Sequence, residues 1–311
     1  MELVTIEAQA ERAVIVPEAG CQCMSYRVGT LEVIAAPSTP EHLRNDPFAS
    51  GIPILFPWPG RIARARFDFA GRAVTLPANE PARGHAIHGL AWNCAYRVIR
   101  RGPYYLRAEL DSSASPELSR VWPYRFRLEL DYEIGGGLRC RAAVRNTGDA
   151  VMPFGFGAHP YFHAPLDPRG TRQSLRLSVP AAVSRWPLDE SLIPVRAPEA
   201  LAGKYDLRAP RTLGDESYDD AFRLGPGRDA QEPCARLIDP AARIAIELRA
   251  DAPFGDLVVY APAGRPVIAL EPYTCAPDAF NLAARGIESG MRKLEPGESF
   301  EAGFEIRLSA P

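Results

Sequence analysis

The sequence predicts an all-β fold, and three observations carry that prediction. Stretches in which apolar and polar residues alternate with period two recur along the chain. Helical patterns are few and short. Glycine (25) and proline (31) are abundant for 311 residues, as in a chain of short strands joined by many turns.

Taken in order, residues 31–35 are apolar but for Glu32, which suits a strand buried on both faces. Residues 51–67 are too proline-rich for a central strand. Residues 104–110 alternate again, and 115–121 read as a short helix. The clearest pattern is 125–134, where Phe126, Leu128, Leu130, Tyr132 and Ile134 fall on one face and charged residues on the other. Gly135, Gly136 and Gly137 follow, and 138–145 alternates in turn, which predicts a hairpin with a glycine turn. Residues 174–179, 243–248 and 300–308 read as strands. So do the apolar runs 257–261 and 267–270. The segment 197–228 is polar and loop-rich, with a short helix expected at 198–205, and another helix is expected at 277–285. These helices are too few to alternate with strands, which argues against doubly wound and barrel α/β folds. No repeat and no linker-like stretch divides the chain, so 1–311 reads as one domain.

Composition narrows the function. The net charge of −2 argues against nucleic acid and anionic membrane as partners. No apolar run approaches the roughly twenty residues that span a bilayer. The N-terminus lacks a basic stretch followed by an apolar run, so the expected location is cytoplasmic. Six cysteines include no CxxC pair, and free thiols in a reducing compartment are the expectation.

Four segments look unlike core strands. The first contains Arg61, which residue type alone would also allow as a surface arginine. The second, "GHAIHGLAW", holds His85 and His88. They stand three apart, would face opposite sides of a strand, and have no third ligand nearby in sequence, so a metal site is not expected. The third, "PFGFGAHPYFH", holds His159, whose backbone is kept extended by the proline after it. Such a histidine suits general acid–base work. The fourth, "VIALEPYTCAPDAFN", holds Glu271 at the end of an apolar run. A carboxylate there is costly without a role or partner, and burial would raise its pKa.

As a set these segments resemble the aldose 1-epimerase (galactose mutarotase) family. The resemblance lies in the "RI" of Arg61, the "HG" of His88, the "HPYF" of His159, the "DDAF" of Asp219 and the "LEPYT…DAFN" of Glu271, in matching order, over roughly 51–308. It implies a large antiparallel β-supersandwich with the sugar in a cleft on one sheet, and no metal or organic cofactor. It implies that Glu271 takes a proton from the anomeric hydroxyl and that His159, as imidazolium, gives one to the ring oxygen. Their mutual attraction would lower the glutamate pKa and raise the histidine one. Arg61, His88 and Asp219 match the family's sugar-binding positions, with Asp220 as the neighbouring candidate. Trp92, Phe162 and Phe280 could offer aromatic faces to the sugar, although each also suits a core.

One departure concerns substrate identity. Gly60 stands where many members carry asparagine, and a lost donor there loosens one contact by about 1 kcal/mol. Competing readings are a hexose-6-phosphate 1-epimerase, with Arg64, Arg66 and Arg83 as phosphate ligands, and a non-catalytic carbohydrate-binding module. A glycosidase would need two flanking carboxylates, and the HPYF motif supplies a histidine instead. The expected partner is a small sugar, and a free sheet edge would allow a homodimer as well as a monomer.

Overall fold

The computed structural model describes residues 1–310. The chain is built from antiparallel sheets with three short α-helices, the longest of six residues. No helix among the described residues is long and apolar enough to cross a membrane.

A nine-stranded sheet forms one layer. Its order is Arg97–Arg101, Tyr105–Asp111, Phe126–Ile134, Leu138–Asn146, Ser299–Ser309, Ile244–Ala250, Ala235–Asp239, Arg176–Ser178 and Arg211–Thr212. The alternation in the sequence is the alternation of burial. Phe126, Leu128, Leu130, Tyr132 and Ile134 are buried, and the charged residues between them are not. The predicted hairpin pairs Ile134 with Leu138 and runs in register to Phe126 opposite Asn146.

The second layer is a seven-stranded sheet. Its order is Ala182–Arg185, Tyr218–Leu224, Asp256–Ala261, Val267–Tyr273, Gly157–Ala158 and Ile54–Leu55, with Tyr161–His163 also paired to Val267–Tyr273. Every residue of Val267–Tyr273 is buried, as its unbroken apolar run requires. A four-stranded N-terminal sheet, Val4–Ala8 to Leu31–Glu32, completes the sandwich. One apolar cluster fills the interior and includes residues from Val4 to Ile306. Phe56 and Phe126 meet across it with ring centroids 4.7 Å apart. All six cysteines are free.

Three local expectations change. The strand expected at 31–35 forms only over Leu31–Glu32, and both residues are half-buried. Residues 198–205 form no α-helix, only a single 3-10 turn at Gly203–Tyr205. The backbone of Glu199 bonds instead to that of Arg185, beside the Ala182–Arg185 strand. The segment expected to be loop at 197–228 contains the strand Tyr218–Leu224, which sits second in the seven-stranded sheet. Two adjacent aspartates, poor strand formers, hid it.

Candidate active site

Val267–Tyr273 supplies the floor of a cleft on the seven-stranded sheet. The solvent-accessible volume of the cleft is ≈ 140 Å³. Arg61, His88, His159, Asp219 and Glu271 all line it, so the structure brings together the five residues named from the family motifs.

Glu271 projects from the centre of the sheet, opposite Val258, and is 2% exposed. His159 lies beyond Gly157–Ala158, its N–H bonded to the carbonyl of Pro53 at 3.0 Å. These anchors bring His159 Nε2 to 3.2 Å from Glu271 Oε1. Two tyrosines frame the pair. Tyr273 O–H donates to Glu271 Oε2 at 2.5 Å. The Tyr161 ring stacks on His159 at 4.2 Å, its O–H donating to the carbonyl of Phe48.

Burial pushes the Glu271 pKa well above 4.5, against the pull of the Tyr273 hydrogen bond. Burial likewise pushes His159 down, from 6.5 to about 3. Of the two opposing expectations for Glu271, burial raising its pKa and the pair's attraction lowering it, burial is the larger, and for His159 burial outweighs the attraction expected to raise it. Net charge on so deep a pair is costly, so its low-energy form carries one proton, on Glu271 by the direction of both shifts, and the Tyr161 hydroxyl lies 3.2 Å from His159 Nε2.

His88 comes from a turn that only its neighbour permits. Gly89 has φ +70°, and a Cβ there would lie 2.2 Å from the carbonyl oxygen of Phe56. Gly60 N–H donates to His88 Nδ1 at 3.3 Å, which leaves the Nε2 proton free to face a ligand. Burial, with His159 and Arg61 nearby, drops the His88 pKa well below 6.5, so the ring is a neutral donor. Gly60 has φ +65° and a Cβ there would press 3.1 Å against Pro277, which fits glycine at this departure from the family pattern.

Arg61 sits in a two-residue strand, Arg61–Ile62, paired with Ala86–Ile87, which links the RI and HG motifs. Its guanidinium forks onto Glu80, with Nε to Oε2 at 3.0 Å and NH2 to Oε1 at 3.1 Å. Asp219 Oδ2 is 3.9 Å away. Burial works to lower the Arg61 pKa, but the Glu80 bonds and the two carboxylates hold it raised. Strand alternation decides between the two aspartates. Asp219 lines the cleft, while Asp220 turns to Arg185 at 4.0 Å.

Trp92, Phe162 and Phe280 do not line the cleft, and the latter two are core. The aromatic lining is Phe48, Tyr161, Tyr260 and Tyr273. Tyr161 and Tyr273 each stand two residues after a catalytic candidate, a same-face spacing that could have revealed them. Glu80 left no sequence signal. His85 is not in the cleft. Of the two histidines weighed for a metal, only His88 meets further donors in space, since His88, His159 and Glu271 hold ligand atoms within 4.8 Å of one another. These three side chains could hold a divalent ion only with Glu271 ionised, in place of the proton the pair otherwise carries.

The sequence model of the family described as aldose 1-epimerase matches residues 2–307. The chain belongs to the aldose 1-epimerase family. It is 26% identical over 277 residues to an uncharacterized protein, YihR, of Escherichia coli, covering 88% of this chain and 83% of that one. It is 27% identical over 206 residues to a maltose epimerase of Levilactobacillus brevis, covering 62% and 59%. A galactose mutarotase-like protein of Clostridium acetobutylicum shares the fold, with a TM-score of 0.90 at 20% identity over 99% of this chain and 95% of that one. Aldose 1-epimerases act on sugars, and the supersandwich is the architecture this family implies.

Proposed function

We propose that the protein is an aldose 1-epimerase that interconverts the α and β anomers of a free aldose, with Glu271 and His159 as its acid–base pair. The carrying observation is their 3.2 Å separation at the cleft floor. The reaction needs a base at the anomeric hydroxyl and an acid at the ring oxygen, and these two oxygens share one carbon. A touching pair suits them. Glycosidase carboxylates stand about 5 to 9.5 Å apart, because they work across a bond or admit a water. A simple binding module would have no use for so costly a buried pair.

The productive start is carboxylate and imidazolium. With the proton on Glu271, burial holds His159 at about 3. Moving that proton to Nε2 creates a carboxylate 3.2 Å away whose attraction offsets burial, and the Tyr273 O–H supports the same charge. Glu271 then removes the hydroxyl proton, the O–H electrons form the carbonyl, and the bond from carbon 1 to the ring oxygen breaks. That oxygen takes the proton from His159. Rotation about the bond between carbons 1 and 2 presents the other face. Closure reverses both transfers and restores the pair.

Arg61, His88 and Asp219 bind hydroxyls in this reading. Glu80 holds the guanidinium fork, and Asp219 offers an acceptor beside it. The phosphorylated-sugar reading is weakened because Arg83 is already bound to Glu80 at 2.8 Å, and Arg64 and Arg66 lie outside the cleft. Exchange NMR on a panel of free and 6-phosphorylated aldoses tests the proposal. Exchange above the spontaneous rate that Glu271→Gln abolishes is the expected result, and no acceleration of any aldose overturns it.

A further inference from the structure

The cleft has a polar side and an apolar side. On its floor Val258 lies opposite Glu271 in register, Ala221 lies opposite Val258, and all three line the cleft. Period two puts Tyr260 and Asp219 in the next row, opposite each other. The Asp219 row leads to Arg61, 3.9 Å away. The Ala221 row leads instead to Trp186, whose N–H bonds the Ala221 carbonyl at 2.8 Å.

From Trp186 the chain enters the loop 187–195, which sets Leu188 and Leu192 against the cleft. Leu188 packs on the cluster that holds Trp186, Ala221 and Val258. The loop is fixed from within. The Asp189 carboxylate accepts the N–H groups of Ser191 at 2.9 Å and Ile193 at 3.0 Å. Leu192 N–H bonds the Asp189 carbonyl at 2.9 Å, and Val195 N–H bonds the Pro187 carbonyl at 3.0 Å. The base is held by Trp186 Nε1, which donates to the buried Asp256 carboxylate at 2.7 Å.

Packing does not account for Leu192. Its φ is +63°, a left-handed backbone that a bulky side chain adopts at a cost. It is half-buried, and it joins no apolar cluster among the described residues. Strain kept without packing points to function, and Leu192 faces the cleft. With Leu188, Ala221 and Val258 it forms a wall of four side chains, none of which can donate or accept a hydrogen bond.

Besides the anomeric hydroxyl, a pyranose hexose carries three hydroxyls on its ring and one on its exocyclic carbon. Arg61, His88 and Asp219 suffice for the three on the ring. A fourth hydroxyl turned to the wall loses water and gains no partner, whereas a methyl group there gains apolar contact. We propose that Leu192 is a specificity-determining residue and that the substrate is a 6-deoxyhexose, its ring hydroxyls on Arg61, His88 and Asp219 and its methyl group against Leu192, Leu188 and Ala221. This inference rests on the epimerase reading of the same cleft.

Exchange NMR on glucose and galactose, their 6-deoxy forms, and the matching pentoses that lack the exocyclic carbon tests it. At least one 6-deoxyhexose is expected to exceed both its parent hexose and the matching pentose in kcat/KM by about tenfold. Leu192→Asn puts a donor and an acceptor into the wall at a backbone angle that asparagine tolerates. Its Tm is expected to hold or rise, while the ratio of 6-deoxyhexose to hexose falls to about one. Should that variant lose its native Tm, Ala221→Ser, which adds one hydroxyl to the floor, takes its place with the same expected fall. The proposal is overturned if no 6-deoxyhexose exceeds its parent, if the pentose matches it, or if the folded variant keeps the wild-type ratio. Absence of all exchange in the wild type is a failure of the epimerase reading instead. The wall is then judged by saturation-transfer NMR with methyl 6-deoxyglucoside against methyl glucoside, where equal binding overturns it and tighter binding of the 6-deoxy form supports it.

Discussion

Tyr273→Phe removes one hydrogen bond and little else. Tyr273 O–H donates to Glu271 Oε2 at 2.5 Å, and both residues are buried on the same strand, two positions apart. The donor favours the carboxylate, the form needed at the start of ring opening. A hydrogen bond to a charged group contributes about 1.5–3 kcal/mol, so the productive carboxylate–imidazolium form should fall by roughly 10- to 150-fold. That loss should appear in kcat, with KM nearly unchanged, because Arg61, His88 and Asp219 are untouched. It should also raise the Glu271 pKa further, since removing a donor weakens the carboxylate, and so move the alkaline limb of the pH–rate profile upward. Exchange NMR at several sugar concentrations, repeated across pH, reads both effects. An unchanged kcat with an unshifted limb would refute the role given to Tyr273. A raised KM alone would place the hydroxyl on the sugar.

Glu271→Gln and His159→Asn should each cost on the order of a hundredfold or more in exchange rate while the circular dichroism and Tm stay native, and unimpaired turnover in both would sink the mechanism. Glu80→Gln should raise KM more than it lowers kcat, by about tenfold, because Arg61 loses its charged fork and has only Asp219 at 3.9 Å; inhibition by a non-reacting sugar analogue provides a second reading. Gly89→Ala should lower Tm sharply or prevent folding, since its Cβ would stand 2.2 Å from a backbone oxygen at φ +70°, and a native Tm would contradict the tight turn that carries His88. The Glu271–His159 pair also sets a pH window for stability: below 4.5 the unfolded chain holds a proton on both groups while the fold, with His159 at about 3, holds one, so stability falls with pH. Above 6.5 the unfolded chain holds none while the raised Glu271 keeps one, so stability falls as pH rises; denaturant titrations of Glu271→Gln should lose the alkaline fall and begin the acid fall near 6.5 instead of 4.5, because no glutamate proton then offsets the histidine's.

Most of the sandwich was legible because its strands have one buried and one wet face. The pattern of 125–134 could belong only to a half-buried strand, and the run at 267–270 only to a strand covered on both sides. The strand Tyr218–Leu224 was not legible, because its aspartates serve the cleft and a neighbouring arginine rather than the sheet. Function there overrides strand propensity. The five site residues were legible as motifs, but their charge states were not. Those depend on burial between strands that lie far apart in sequence. The partner of Arg61 was hidden for the same reason, since Glu80 reaches it from an irregular segment 19 residues away.

The two catalytic candidates share a construction that explains how a sheet keeps so costly a pair. Each is followed two residues later by a tyrosine, and period two puts both tyrosines on the cleft face. Tyr273 hydrogen-bonds its glutamate, and Tyr161 covers the face of its histidine. Glu271 and both tyrosines lie on paired strands, with Tyr161 opposite Ala269, and His159 sits in the two-residue link between Ala158 and Tyr161, its N–H held by the carbonyl of Pro53. A rigid frame of this kind fixes the 3.2 Å separation before any sugar arrives. For the proposed reaction, whose two proton transfers involve oxygens on one carbon, that fixed distance is the main thing the protein must supply, and the sheet that carries Glu271 and the Pro53 anchor on His159 supply it together.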